Sequence, residues 1–329
     1  METYETTVSS TIKNFEFSFG YWRFFTVLMR VQSVAAHFTA LPPHPPSARD
    51  LASLPGGKRE PVWIVSHPVQ QALPWLELGP KVVRYVTAQY RRYYVDLNGT
   101  FECYLQRLSR KRRGELRRKM RKFAGRGGAC FREYRSPAEM KEFYESAIIV
   151  SRLSFQKRIG HGLPEDRESV AALIRMAEQD CIRGYVLFHE DQPAAFTLCY
   201  VNGDWLTGEL CGYDPSLSQF SPGNALIGSI LERLFEEQRF KMLDLGTGDA
   251  DYKAFFATGS APCADMYYFR RTPRNVALVL AHWATTMLWQ CTTRILDALQ
   301  IKYKLKKLAR NGWKRSERVD FPEAPELLK

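Results

Sequence analysis

The alternation of apolar and polar positions is most regular in the second half of the chain. From residue 129 it predicts a strand, "ACFREYR", and then a helix opening on Ser136, with Pro137 at its first position and Glu139 in the capping-box position. A second helix is expected over about 168–179. Three strands come next, "GYVLFHED", "QPAAFTLCYVNG" and "DWLTGELCGYD", joined at Asp191-Gln192 and at Asn202-Gly203-Asp204. The Asn-Gly pair is a hairpin signal, because both residues tolerate positive φ. After the loop "PSLSQFSPGN" the pattern gives a helix from Ala225 to Arg239, the strand "KMLDLG", the helix "ADYKAFFAT" and the strand "DMYYFRR". The order is β-α-α-β-β-β-α-β-α-β.

The first half is harder to read. Residues 1–20 read as a tail, and "YWRFFTVLMRVQSVAAHF" as a buried or interfacial helix, since Arg23 and Arg30 interrupt it as a membrane span. The Pro/Gly-rich stretch 41–61 reads as loop, "PVWIVSH" as a strand, and "WLELGPKVVRYVTAQYRRYYVDL" as a helix-to-strand segment. Leu105, Leu108, Leu116, Met120 and Phe123 fall mostly at helical spacing, with Arg112 breaking the stripe, so one helix is expected over 100–123. "GRGG" at 125–128 would end it and mark a domain boundary. Near the end, residues 275–293 carry no formal charge and the stretch beyond them is basic. His282, Gln290 and the threonines argue against a span, leaving a helix packed on the preceding domain or lying in a membrane interface. The expected division is a tail at 1–20, a first half at 21–125, a second at 126–272, a helix at 273–312 and a tail at 313–329.

The chain has 329 residues, 45% hydrophobic and 13% aromatic, enough to bury substantial cores. A formal charge of +12 points to an anionic partner such as a phosphate-rich cofactor, a nucleic acid, a membrane surface or an acidic glycan. The seven cysteines are odd in number and show no C-x-x-C, which argues for a reducing compartment. No His pair has zinc-site spacing, so no metal is expected. Glu2, Glu5 and Glu16 precede any long apolar run, unlike a secretory signal, and a cytoplasmic location is expected, with membrane association as an alternative.

"LDLGTGDADYKAFF" could open a methyltransferase, whose Gly-rich turn lies across S-adenosylmethionine. That motif stands after the first strand of a doubly wound sheet, and several βα units must come after it. Only 81 residues lie beyond Gly248, with one convincing strand among them, and Ala250 stands where the third glycine is usual. The run at 107–126 holds eleven basic residues and one acidic, yet no aromatics interleave and no nucleic-acid motif accompanies it. A solvated helix face, or recognition of an anionic substrate, CoA phosphate or lipid headgroup, suits it better.

The meander, Ser-Pro-Gly loop, helix, strand, helix and strand resemble the GNAT acyltransferase superfamily, in particular its bacterial CelD-like branch of cellulose and exopolysaccharide biosynthesis, related to Fem-type aminoacyltransferases. The likeness is carried by "FSPGNALIGSILERL" at 220–234 and "LDLGTGDADYKAFF" at 243–256, with "YYVDLNGTFECYLQRLSRKRRGELRRKMRKF" and "SRLSFQKRIGHGL" upstream. Residues 1–60 match less well. The resemblance implies an α/β (α+β) protein of tandem GNAT-like halves, a mixed sheet flanked by helices, and a C-terminal helix. It also implies acyl transfer from acyl-CoA (acetyl-CoA) to an amine or hydroxyl of a small-molecule or glycan acceptor in envelope or exopolysaccharide synthesis. Three rivals stand beside it: a Fem-type enzyme using aminoacyl-tRNA, a methyltransferase, and a non-catalytic partner of a glycan-synthesis complex.

The residues support this chemistry directly. A helix N-terminus presents unsatisfied N–H groups and partial positive charge to anionic oxygens. Ser221, Pro222, Gly223, Asn224 and Ala225 open such a helix and are the expected binding positions for the donor pyrophosphate, although a Ser-Pro start is also an ordinary cap. Asp244 reads as a turn-capping residue or a substrate contact, and Asp249 as an N-cap or a catalytic group. Tyr252 and Lys253 fall in the next helix, where the tyrosine is an expected substrate contact and the lysine is a surface residue, binds an anionic group or acts in catalysis on the acceptor side beside Asp249. Deprotonating an amine needs a base or water, for which Glu209 and Asp249 are the candidates.

Overall fold

The computed structural model describes residues 7–19, 22–35, 45–46, 60–125, 128–154, 157 and 162–298. In chain order the strands are β1 (Thr7–Phe19), β2 (Trp22–Ala35), β3 (Val62–Pro68), β4 (Leu76–Leu78), β5 (Val82–Asp96), β6 (Cys130–Tyr134), β7 (Ile182–His189), β8 (Gln192–Asn202), β9 (Trp205–Tyr213), β10 (Met242–Asp244) and β11 (Gly259–Arg270). The helices are α1 (Phe101–Arg107), α2 (Arg110–Ala124), α3 (Pro137–Leu153), α4 (Arg167–Glu178), α5 (Pro222–Glu237), α6 (Asp251–Phe256) and α7 (Pro273–Ala298), with a 3₁₀ helix at Pro215–Phe220. The fold is mixed α/β, with sheet flanked by helices. The chain forms two compact units, residues 1–89 with 262–329, and residues 90–261. β5 and β11 run from one unit into the other.

The first unit orders its strands β1-β2-β3-β11-β5. β1 and β2 form a hairpin with Phe15 opposite Val27 and Phe17 opposite Phe25. This corrects two expectations over the described residues: 7–19 of the expected tail form a strand, and so do 22–35 of the expected helix over 21–38. The run is rich in aromatic and β-branched residues, which fit a pleated surface better than a helix. Phe15, Phe17 and Val31 are buried with Tyr85, Tyr267, Phe269 and Val279. The helix expected before β5 is also absent. The segment is the short β4 antiparallel to β5, a strand carrying Val82, Val83, Val86 and Thr87.

The second unit orders its strands β5-β10-β9-β8-β7-β6, all antiparallel neighbours except β9 and β10. The order expected from residue 129 is present throughout, including the capping box of Ser136 and Glu139. Helices lie on both faces of the sheet. Tyr185 and Leu187 of β7 pack with residues of α1, α2 and α5, whereas Val186 and Phe188 pack with α3 and α4. The single helix expected over 100–123 is two. Thr100 caps α1 by accepting from the Cys103 amide, and Ser109 caps α2 by accepting from the Arg112 amide. The Gly-rich stretch at 125–128 does not divide the units. Leu116 and Phe123 of α2 share one core with Leu226, Ile230 and Leu234 of α5, which ties the basic helix to the C-terminal part of the same unit. The expected loop at 41–61, apart from residues 45–46, 60 and 61, and the chain beyond residue 298 lie outside the described residues.

Candidate active site

The site begins where two strands part. β9 and β10 pair in parallel over Trp205–Thr207 and Met242–Asp244, and the pairing stops there. In β9 the partners of β8 step from Leu210 to Gly208, so Glu209 occupies a bulge. In β10 the chain turns at once. Gly246 has φ +81° and Gly248 φ +90°. A Cβ at Gly246 would come 2.4 Å from the Gly208 carbonyl oxygen. This Gly-x-Gly turn therefore serves close backbone packing, not a cofactor laid across the first strand of a doubly wound sheet.

A cavity of about 320 Å³ lies in the second unit, between β8, β9, the start of α5 and Tyr252 of α6. The chain enters α5 through Ser221, whose φ of 55° and ψ of 50° are left-handed, a costly conformation for a residue with a Cβ. Its side chain does not cap the helix. Pro222 has no N–H to offer, and the Ala225 amide is bonded to the Ser221 carbonyl. The amides of Gly223 and Asn224 are thus left without a side-chain cap, at the cavity wall. Ser221, Pro222, Gly223 and Asn224 all line the cavity. Ala225 does not: it is buried in the core.

Tyr252 lines the same cavity and shares a hydrogen bond with Cys211 of β9. Burial pushes the pKa of both groups up, so the phenol and the thiol hold their protons at neutral pH. Next to Tyr252, Lys253 is buried and donates to the Thr247 carbonyl. It is not a surface lysine. Burial lowers its pKa, and the nearby Cys211 and Asp244 oppose that shift.

Asp244 is fully buried and ion-paired with Arg92 of β5, whose Nε lies 2.8 Å from the carboxylate, and it also accepts from the Gly246 amide at 3.0 Å. This is the turn-holding reading; direct substrate contact would need surface that Asp244 does not expose. Asp249 is exposed and accepts from the Tyr93 hydroxyl at 2.9 Å, which raises the tyrosine's pKa. The residue at the N-cap of α6 is Ala250, so the expected capping by Asp249 is corrected. Glu209 is exposed on its bulge and is not among the cavity-lining residues. Sequence reading missed Cys211, Tyr213, Phe196 and Arg92. The run "QYRRYYVD" around Arg92 carried the signal, since an arginine inside an apolar strand calls for a buried acid.

Residues 110–254, from α2 to α6, match the family described as the acetyltransferase (GNAT) domain. No curated protein sequence matches the chain. Among solved structures the chain is similar to a C-terminal domain (DUF2156) assigned to a lysylphosphatidylglycerol synthetase of Agrobacterium fabrum, at 15% identity over 70% of this chain and 73% of that one, with a TM-score of 0.46. It is similar to L-PGS of Bacillus licheniformis at 14% identity over 68% and 73%, TM-score 0.46, and to FemX at 10% identity over 58% and 64%, TM-score 0.41. Likenesses this distant say nothing about substrate. The left-handed turn at Ser221, the open amides and Tyr252 all fall within the segment that matches the acetyltransferase (GNAT) domain, and the mixed sheet flanked by helices is GNAT-like in fold.

Proposed function

We propose that this protein transfers an acyl group from acyl-CoA to an amine or hydroxyl of an envelope or exopolysaccharide-related acceptor. The observation that carries the reading is the entry into α5. A left-handed serine followed by proline leaves the amides of Gly223 and Asn224 at a cavity wall, where the pyrophosphate of a nucleotide-type donor would accept from them. The acceptor's nucleophile attacks the thioester carbonyl, the carbon–sulfur bond breaks, and the thiolate leaves. Tyr252, protonated and facing the cavity, is placed to supply the proton that the thiolate takes. Glu209 and Asp249, both exposed, or water, take the proton from the acceptor. Lys253 holds the Thr247 carbonyl and thereby the turn beneath Tyr252.

A second reading has its own support. α2 exposes Arg110, Lys111, Arg117, Arg118, Arg121 and Lys122, a basic face that suits the aminoacyl-tRNA donor of a Fem-type transferase. Thermal unfolding separates the two. A ligand that binds only the folded state stabilises it by about 2.7 kcal/mol at a hundredfold excess over Kd. Acetyl-CoA or a longer acyl-CoA should raise the melting temperature, and S-adenosylmethionine should not. Stabilisation by charged tRNA without any by CoA would move the protein to the Fem-type reading. No shift with any donor would count for a non-catalytic partner.

A further inference from the structure

A surface helix ordinarily turns its charged residues to water and its apolar ones inward. α7 is apolar on both sides. Inward, Val279 is fully buried, and His282 places its ring 4.3 Å from that of Phe15 and its Nδ1 2.6 Å from the Tyr85 hydroxyl. Outward, Leu280, Trp283 and Leu288 are 42%, 39% and 61% exposed. No formal charge interrupts residues 275–293. The threonines are no exception. Thr285 and Thr286 donate to the His282 carbonyl and Thr292 to that of Leu288, so the hydroxyls are turned onto the helix itself. The apolar surface continues onto the β1–β2 hairpin, where Phe17 packs against His282 and stacks on Phe25, itself 55% exposed.

Charge appears only at the two ends of this helix. Arg270, Arg271 and Arg274 are exposed around its start, beside an apolar groove of about 460 Å³ formed by Leu78, Val276, Ala277 and Leu280. Past its end the sequence carries Lys302, Lys304, Lys306, Lys307, Arg310, Lys314, Arg315, Arg318 and Lys329 against the acids Glu317, Asp320, Glu323 and Glu326. An apolar centre between two basic ends is complementary to one kind of surface, an apolar layer faced by anionic groups. No helix of the described residues is long and apolar enough to cross a membrane.

We propose that α7 docks the protein on an anionic lipid bilayer, lying in the plane of the interface. Leu280, Trp283 and Leu288 enter the headgroup–acyl boundary, Arg270, Arg271 and Arg274 face the lipid phosphates, and the positive charge carried past the helix adds to the attraction. The inference is independent of the acyl-transfer reading.

The test is co-sedimentation of the full chain with vesicles of equal parts phosphatidylcholine and phosphatidylglycerol, and with phosphatidylcholine alone. Binding is expected to the anionic vesicles and to weaken in molar salt, since attraction between exposed charges is screened over about 8 Å even at physiological ionic strength. Two variants probe the apolar and basic parts separately, Leu280→Ser/Trp283→Ser/Leu288→Ser and Lys302→Gln/Lys304→Gln/Lys306→Gln/Lys307→Gln. Each should lower the partition coefficient about tenfold or more while leaving the melting temperature unchanged. If the serine variant melts early, the glutamine variant decides. Failure of the wild-type chain to bind anionic vesicles, or undiminished binding by the deciding variant, overturns the proposal. So does a dimer that the serine variant converts to monomer without change in vesicle binding, which would give the face to a second copy.

Discussion

Ser221 sits in a conformation that glycine would adopt at little cost, at φ 55°. Holding a non-glycine residue there costs on the order of 1 kcal/mol, and in this chain it leaves the first amides of α5 uncapped. Two residues on, Gly223 meets only Tyr213. A Cβ placed there would lie 3.6 Å from the tyrosine ring, an ordinary contact, so the fold has room for a side chain. The donor does not, if its phosphates approach the Gly223 amide. We expect Gly223→Val to melt near the wild-type temperature and to bind acetyl-CoA about tenfold more weakly, a loss of about 1.4 kcal/mol. Equal affinity by calorimetry in the folded variant would remove the pyrophosphate from this turn.

At the scale of the elements, the separation of β9 from β10 depends on the turn at Gly246 and Gly248, and the two glycines differ in kind. Gly246 combines positive φ with a backbone approach that a Cβ would bring to 2.4 Å, whereas a Cβ at Gly248 meets nothing within 4 Å. Gly248→Ala should cost about 1–2 kcal/mol, the left-handed penalty alone. Gly246→Ala should cost about 3 kcal/mol or more, because carbonyl and methyl cannot share the space. Denaturant titration of both variants measures the difference, and equal losses would mean that the Gly208 contact relaxes freely. The sequence showed this glycine pair and the order of elements around it, because Asn-Gly, Ser-Pro and Gly-x-Gly are signals fixed by local φ preferences. It also singled out Ser221 to Asn224, which line the cavity. It did not show the β1–β2 hairpin. The alternation of Phe25, Val27, Met29 and Val31 is visible in it, but Leu28 and Phe24 fill the other face with apolar residues and blur the period. Nor did it show that Asp244 and Lys253 are buried. Their partners Arg92, Cys211 and Thr247 include residues brought together only by the sheet.

For the whole molecule, the division into units makes a prediction that no single residue does. Every residue lining the cavity belongs to the 90–261 unit. Amide exchange in the presence of acetyl-CoA should therefore slow over 213–225 and 246–253, and stay unchanged over 62–88 and 262–270. Protection spread evenly over both units would show that the donor is held elsewhere or acts on the fold as a whole. Within the 90–261 unit the basic helix α2 is a fixed part of the core through Leu116 and Phe123, so its exposed charges are presented at constant geometry.

The passage of β5 and β11 between the two units also has a consequence during synthesis. The first unit packs Phe15, Phe17, Val31 and Tyr85 against Tyr267, Phe269 and Val279, so its core is drawn from both ends of the described chain. A ribosome adding roughly 5–20 residues per second needs on the order of ten to forty seconds to travel from Gln89 to Val279. Throughout that interval the hairpin's aromatic residues have emerged and their partners have not. The inserted unit, whose core is complete once Phe256 has been made, can close while the first unit still waits. The inserted unit is therefore free to fold first, and the early strands are the part of this protein that a nascent-chain chaperone would have to shield.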